Sequence, residues 1–155
     1  MNARQLQTAL VDDLKKLFAG KMYKTPAGEN AGVSVFEQHL PKLLDDESED
    51  PFPYIIVRLD SGGIDTQTNP HKVAVLLLIG IFDDSIKNEG HKAVMEIIEK
   101  IQDHYESEPL LAGQFRRSDP FNWALQDEES YPYFFGAANL TWELPATRTK
   151  WSGLV

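Results

Sequence analysis

The sequence contains no cysteine, and this absence excludes several classes of protein at once. A chain without thiols cannot build a disulfide scaffold, a zinc ribbon or an iron–sulfur site, and it has no thiol nucleophile. The absence also fits a reducing compartment. At 155 residues the chain is long enough to bury one core without cross-links. We therefore expect a single domain over residues 1–155.

Long apolar runs and an excess of basic residues are missing too. The longest apolar run covers residues 73–82, well short of the ~20 residues that span a bilayer, and the first residues lack the apolar stretch of a secretory signal. The 15 basic and 24 acidic residues give a net charge of −9. Because basic side chains supply the affinity for phosphates, this charge argues against sequence-independent binding to nucleic acid. We expect neither a membrane partner nor sequence-specific nucleic-acid binding.

Few residues are arranged for chemistry. No glycine-rich phosphate loop occurs, and the four histidines lie on separate segments, so we expect no cofactor and no catalytic centre. One alternative stays open, in which Asp83, Asp84 and His91 form a small metal-assisted hydrolase site. Aspartate is also common in the turn between a strand and a helix, and we favour that interpretation of Asp83 and Asp84.

Two segments have the periodicity of amphipathic helices. The first has apolar residues at helical spacing from Leu6 to Phe18, with Gly20 beyond them as a stop. The second covers residues 91–105, and Asn88 is the predicted N-cap. Both faces are expected to pack on the core.

Strand signals occupy most of the remaining chain. Residues 54–59 form an apolar strand that Asp60-Ser-Gly-Gly63 is expected to break, and residues 72–82 form a long strand with almost no polar side chain. Such a strand is typical of the centre of a sheet, covered on both faces. Further strands are predicted at 114–117, 122–126 and 133–144. The prediction is an α+β fold, with an antiparallel or mixed sheet of four to five strands and two helices packed on one face.

Residues 21–53 do not fit this alternation. They contain several prolines and glycines and the acidic run DDESED at 45–50, and residues 25–53 alone have a charge of −6. We interpret 21–53 as an extended acidic excursion within the domain, with a short strand near Val35. In an adaptor protein, a further alternative, this loop would bind a partner. The candidate interaction residues come from this loop and from two basic sites, and they are Asp45, Asp46, Glu47, Arg116, Arg117, Arg148 and Trp151.

The order of these elements and two short phrases, PYIIVRL at 53–59 and ANLTWELP at 138–145, resemble one family. Between them lie the strand that ends in Asp83-Asp84, the helix at 91–105 and the phrase YPYFFG at 131–136. Over residues 50–148 the chain is similar to the tail terminator or tail completion proteins of long-tailed phages, the minor tail protein U-like group. The acidic segment 25–53 has no counterpart in that pattern.

The resemblance implies a structural virion protein without catalytic residues. Such a protein forms a ring, expected to be a hexamer, at the end of the phage tail tube, where it terminates tail growth and joins the tail to the head. The implied partners are other copies of the chain, the tail tube protein and the head–tail connector protein. The implied location is the virion tail of a phage or prophage, assembled in the cytoplasm of the bacterial host.

Overall fold

The computed structural model describes residues 1–42, 51–66 and 71–145. They form two helices, α1 (Ala3–Leu17) and α2 (His91–Ser107), and eight strands. The strands are β1 (Met22–Lys24), β2 (Asn30–Gly32), β3 (Ser34–Glu37), β4 (Tyr54–Gly63), β5 (His71–Phe82), β6 (Leu110–Leu111), β7 (Phe115–Leu125) and β8 (Tyr133–Leu144). The predicted α+β fold is confirmed.

Six of the strands form one mixed sheet with the order β3-β4-β5-β8-β7-β6, while β1 and β2 form a separate hairpin. β3 lies parallel to β4, and all other neighbours in the large sheet are antiparallel. β5 and β8 pair along their full lengths, from His71 opposite Leu144 to Phe82 opposite Tyr133. As its composition predicts, β5 lies in the interior of the sheet.

Both helices pack on the same face of this sheet. Leu6, Leu10 and Leu14 of α1 are fully buried against the β3–β4 side, and Val94, Ile97, Ile98 and Ile101 of α2 against the β5–β8 side. The sheet contributes alternate residues to this core, which in β5 are Val73, Val75, Leu77, Ile79 and Ile81. The predicted placement of two helices on one face is therefore correct.

Several details differ from the sequence prediction. The sheet has six strands rather than four to five. The short strand predicted near Val35 is present as β3 and joins the sheet parallel to β4, whereas β6, with two residues, gives no signal in the sequence. β4 continues through Asp60-Ser-Gly-Gly63 with an irregularity between Leu59 and Ser61, since pairing with β5 maintains it. The segments 114–117 and 122–126 belong to one strand, β7, with a similar irregularity between Ser118 and Phe121.

Asn88 does not cap α2. It has a positive φ of 53°, and its side chain donates a hydrogen bond to Glu129. The N-cap is Gly90, which makes no side-chain cap bond. A Cβ atom on Gly90 would lie 2.1 Å from the ring of Phe134. Packing against the sheet, rather than capping chemistry, therefore sets the start of this helix.

The described part of the 21–53 excursion is ordered into the β1–β2 hairpin and β3. At the end of β3, the side-chain amide of Gln38 bonds to both the N–H and the C=O of Leu59 and so continues the pairing with β4. Buried Gln7 of α1 donates to the Gln38 amide oxygen and to the carbonyl of Val57, at 3.0 and 2.8 Å. These two glutamines attach α1 to the edge of the sheet.

Among the described helices, none is long and apolar enough to cross a membrane.

Candidate interaction surface

The face of the sheet opposite the helices, which we call the helix-free face, is apolar along β5, where Leu76 lies between Arg58 of β4 and Asn139 of β8. It consists of the alternate residues of the strands that do not enter the core. In the middle of the sheet these include Ile56, Ala74, Leu76, Leu78 and Ala137. Ile56 is buried, and the other four are half-buried. A strand that is apolar on both faces normally has cover on both, but the two helices cover one face only.

Five aromatic rings occupy one end of the helix-free face. Phe52, which precedes β4, lies with its ring centroid 5.0 Å from those of Tyr54 and Tyr133 and 6.0 Å from that of Phe135. Phe82 adds a fourth contact, 5.7 Å from Tyr133. The ring of Tyr54 lies directly on Gly80, where a Cβ atom would be 2.3 Å away. These contacts stabilise this end without any helix.

Polar residues lie beside Leu76 and form the opposite end of the helix-free face. Asn139 is exposed beside Leu76, and Lys72 lies 3.9 Å from the carboxylate of Glu143. Arg116, a predicted interaction residue, is exposed on the same face opposite Glu143. An apolar centre with a polar margin is the usual composition of a protein–protein contact.

Arg117, the second predicted arginine, packs on its own domain. Its side chain is only 13% exposed, its guanidinium carbon lies 5.8 Å from the centre of the Phe121 ring, and its nearest carboxylate is Asp119 at 4.0 Å. The two arginines therefore lie on opposite faces of the sheet, and only Arg116 is exposed on the helix-free face. The predicted interaction residues Asp45, Asp46, Glu47, Arg148 and Trp151 lie outside the described residues.

The three residues of the hydrolase alternative are not arranged as a metal site. Within residues 1–42, 51–66 and 71–145, no three His, Asp or Glu side chains are grouped to hold a metal ion. Asp83 accepts a hydrogen bond from the N–H of Ser85 at 2.9 Å, as in a strand-to-helix turn. Lys24 of the hairpin lies 3.8 Å from Asp83 and 3.5 Å from Asp84, so these carboxylates hold the hairpin.

A second group of polar contacts joins the same hairpin to α2. Lys21, just before β1, and the hydroxyl of Tyr23 lie 3.2 and 3.3 Å from one carboxylate oxygen of Glu96. Burial, together with the charge and hydrogen bond of Glu96, raises the pKa of Tyr23 from 10.0 to about 12. Both lysines of this part of the excursion, Lys21 and Lys24, therefore pair with carboxylates of the large sheet's end and of α2.

Sequence reasoning identified the apolar pattern of β5 but not the face on which neither helix packs. The signal was present in Ala74, Leu76 and Leu78, which alternate with the core residues. It also missed Trp123 of β7, which is 48% exposed. An apolar residue at the edge of a sheet is recognisable only when the strand order is known.

No family model matches the chain, and no curated protein is similar to it in sequence.

Proposed function

We propose that this protein is a structural subunit of a phage tail, a tail terminator that forms a ring at the end of the tail tube. The proposal starts from the resemblance of residues 50–148 to that family. The observation that supports it best is the apolar helix-free face, because a surface of this kind favours contact with another protein. The absence of a grouped set of acids and histidines among the described residues gives the hydrolase alternative no comparable support.

The proposed assembly is a hexameric ring that contacts the tail tube protein on one side and the head–tail connector protein on the other. A ring of identical subunits needs two different contact surfaces on each subunit. The large sheet offers surfaces that differ from each other: the helix-free face, the edge formed by β3 and the edge formed by β7. Assembly would place the protein in the virion after folding in the host cytoplasm.

The test is deletion of the coding gene from a phage or prophage that carries it, followed by electron microscopy of the particles. We expect tails of uneven and excessive length that are not joined to heads, and the intact gene should restore normal virions. Normal virions from the deletion strain would contradict the proposal. Native mass measurement of the purified protein over a wide concentration range should show six copies in the largest closed species.

The role of the helix-free face is tested by complementation with two variants. Leu76→Asp places a charge at its centre, and we expect this variant to fold but not to restore tail termination. Ile86→Asp is the matched control, because Ile86 is 98% exposed in the β5–α2 loop. Restoration by Leu76→Asp as complete as by the control would show that this face is not a contact.

A further inference from the structure

Over residues 121–125, the outer edge of β7 pairs with no other strand in the part of the chain that the structure describes. β6 pairs only with Phe115 and Arg116, and the N–H of Arg117 is bonded to the carbonyl of Pro109. Beyond the irregularity at Asp119 and Pro120, residues 121–125 pair with β8 on one side and with no described strand on the other.

The hydrogen-bond pattern shows which backbone groups point outward. The N–H of Gln126 donates a hydrogen bond to the carbonyl of Phe135 in β8. In an antiparallel pair every second residue bonds to the same neighbouring strand, so Ala124 and Asn122 also bond to β8. The N–H and C=O groups of Phe121, Trp123 and Leu125 therefore point away from the sheet. Their side chains lie on the helix-bearing face, where Trp123 is 48% exposed.

Natural proteins protect such edges with proline, charged side chains, bulges or very short strands. Residues 121–125, with the sequence FNWAL, contain no proline and no charge. The protective features of β7, which are its charged side chains, Pro120 and the irregularity between Ser118 and Phe121, all lie before Phe121. An edge left in this state is suited to pairing with another strand.

The opposite edge of the sheet supplies a strand of matching length and direction. β3 has four residues, and the N–H groups of Ser34 and Gln38 bond to Pro53 and Val57, so the backbone groups of Val35 and Glu37 point outward. The Glu37 carbonyl also accepts a hydrogen bond from the N–H of His39, which leaves the Glu37 N–H and both groups of Val35 for an added strand. β3 is parallel to β4, and three successive antiparallel steps lead from β4 to β7. β7 therefore runs opposite to β3, and copies arranged head to tail would bring the two edges together as an antiparallel pair.

We propose that residues 121–125 of β7 pair with β3 of a second copy of this chain. The choice of a second copy rests on the proposed ring, which needs a heterologous contact. In this pairing Trp123 lies beside Val35 and Glu37 of the neighbour, since all three side chains are on the helix-bearing face. The exposed part of Trp123 is thereby covered.

The absence of natural cysteine permits a direct test by disulfide cross-linking of the full chain. Paired strands bring Cα atoms within the range that a disulfide spans. We expect a mixture of the single variants Glu37→Cys and Trp123→Cys to form the mixed disulfide under mild oxidation, and the double variant to form a ladder of multimers. Self-linking of Trp123→Cys alone would overturn the proposal, because it indicates a two-fold contact. Lack of any cross-link would overturn it as well.

A backbone variant separates strand pairing from side-chain contact. Trp123→Pro removes an N–H that points outward and is not used by β8, so the fold should persist. Trp123→Val removes the same side chain but keeps the N–H. We expect association of the proline variant to be roughly tenfold weaker than that of the valine variant. Equal association of two folded variants would overturn the proposal.

These results are distinguishable from those that test the proposed function. If the mixed disulfide forms but deletion of the gene leaves virions normal, the edge contact is supported and the proposed tail terminator function is contradicted. If the deletion strain shows uncontrolled tail growth but the cysteine variants form no mixed disulfide, the proposed function is supported and the proposed edge contact is contradicted.

Discussion

At the scale of single residues, the most informative side chain is Gln38. It sits at a positive φ of 66° after β3, and its amide takes the place of a peptide group beside Leu59. No periodicity in the sequence marks such a residue, because its two partners are 21 and 31 positions away. Prediction from sequence identifies strands by their pattern, but not a side chain that acts as a backbone group.

Replacement of Gln38 by alanine should destabilise the protein by about 2–3 kcal/mol, because buried Gln7 and the backbone of Leu59 lose partners. Urea unfolding measures this change. Gln114→Ala is the control, since Gln114 is exposed in the β6–β7 turn, and its effect should stay within about 0.5 kcal/mol. A Gln38→Ala variant as stable as this control would show that the amide contacts do not contribute.

Gly136 is a second informative residue, because the lack of a side chain there lets α2 pack closely on β8. A Cβ atom there would lie 2.5 Å from a methyl group of Val94 in α2. Gly136→Ala should therefore cost about 1–3 kcal/mol of stability by pushing α2 from the sheet. Gly63→Ala, at a position with open space around it, should be close to neutral. Equal unfolding midpoints for the two variants would contradict this interpretation.

At the scale of elements, the strongly patterned ones were predictable: α1, α2, β4, β5 and β8 lie within a few residues of their expected bounds. The short strand expected near Val35 is present as β3, but its parallel pairing with β4 was not predicted. β6 was missed, because a strand of two residues is defined by its neighbour. The helix-free face follows the same rule. Its apolar residues are visible in the sequence, whereas its lack of cover depends on where both helices pack.

The β1–β2 hairpin should detach at high pH. The pKa of Tyr23 is about 12 in the docked state against 10.0 ordinarily, so the neutral form stabilises docking below pH 10. That contribution is lost as the pH rises from 10 toward 12, where a detached Tyr23 ionises and a docked one does not. Proteolysis within the hairpin should accelerate over this range.

Tyr23→Phe provides the comparison for this effect. The variant lacks the titrating hydroxyl, so its proteolysis rate should depend less steeply on pH than that of the natural chain. The two proteins share every other side chain, so the difference between them isolates the Tyr23 hydroxyl. Equal pH dependence would show that Tyr23 does not control docking.

At the scale of the whole molecule, the net charge of −9 makes neighbouring copies repel each other. The contacts proposed above are apolar or use backbone hydrogen bonds, so they do not depend on ion pairs. Added salt should therefore strengthen association by screening the repulsion. Light scattering at fixed protein concentration and rising salt measures this. Dissociation by salt would instead indicate an ionic interface.

The order of strands also has a consequence for folding. β8 is the last strand of the described chain, yet it lies between β5 and β7 in the sheet. The pairing of β5 with β8 joins residues 71–82 to residues 133–144, and such distant pairings form slowly. A nascent chain that stops before β8 lacks the strand that joins β5 to β7, so its sheet cannot be completed. Only a chain that has been synthesised through β8 can then complete the sheet, so shorter fragments from interrupted translation would lack the folded surfaces of a full subunit.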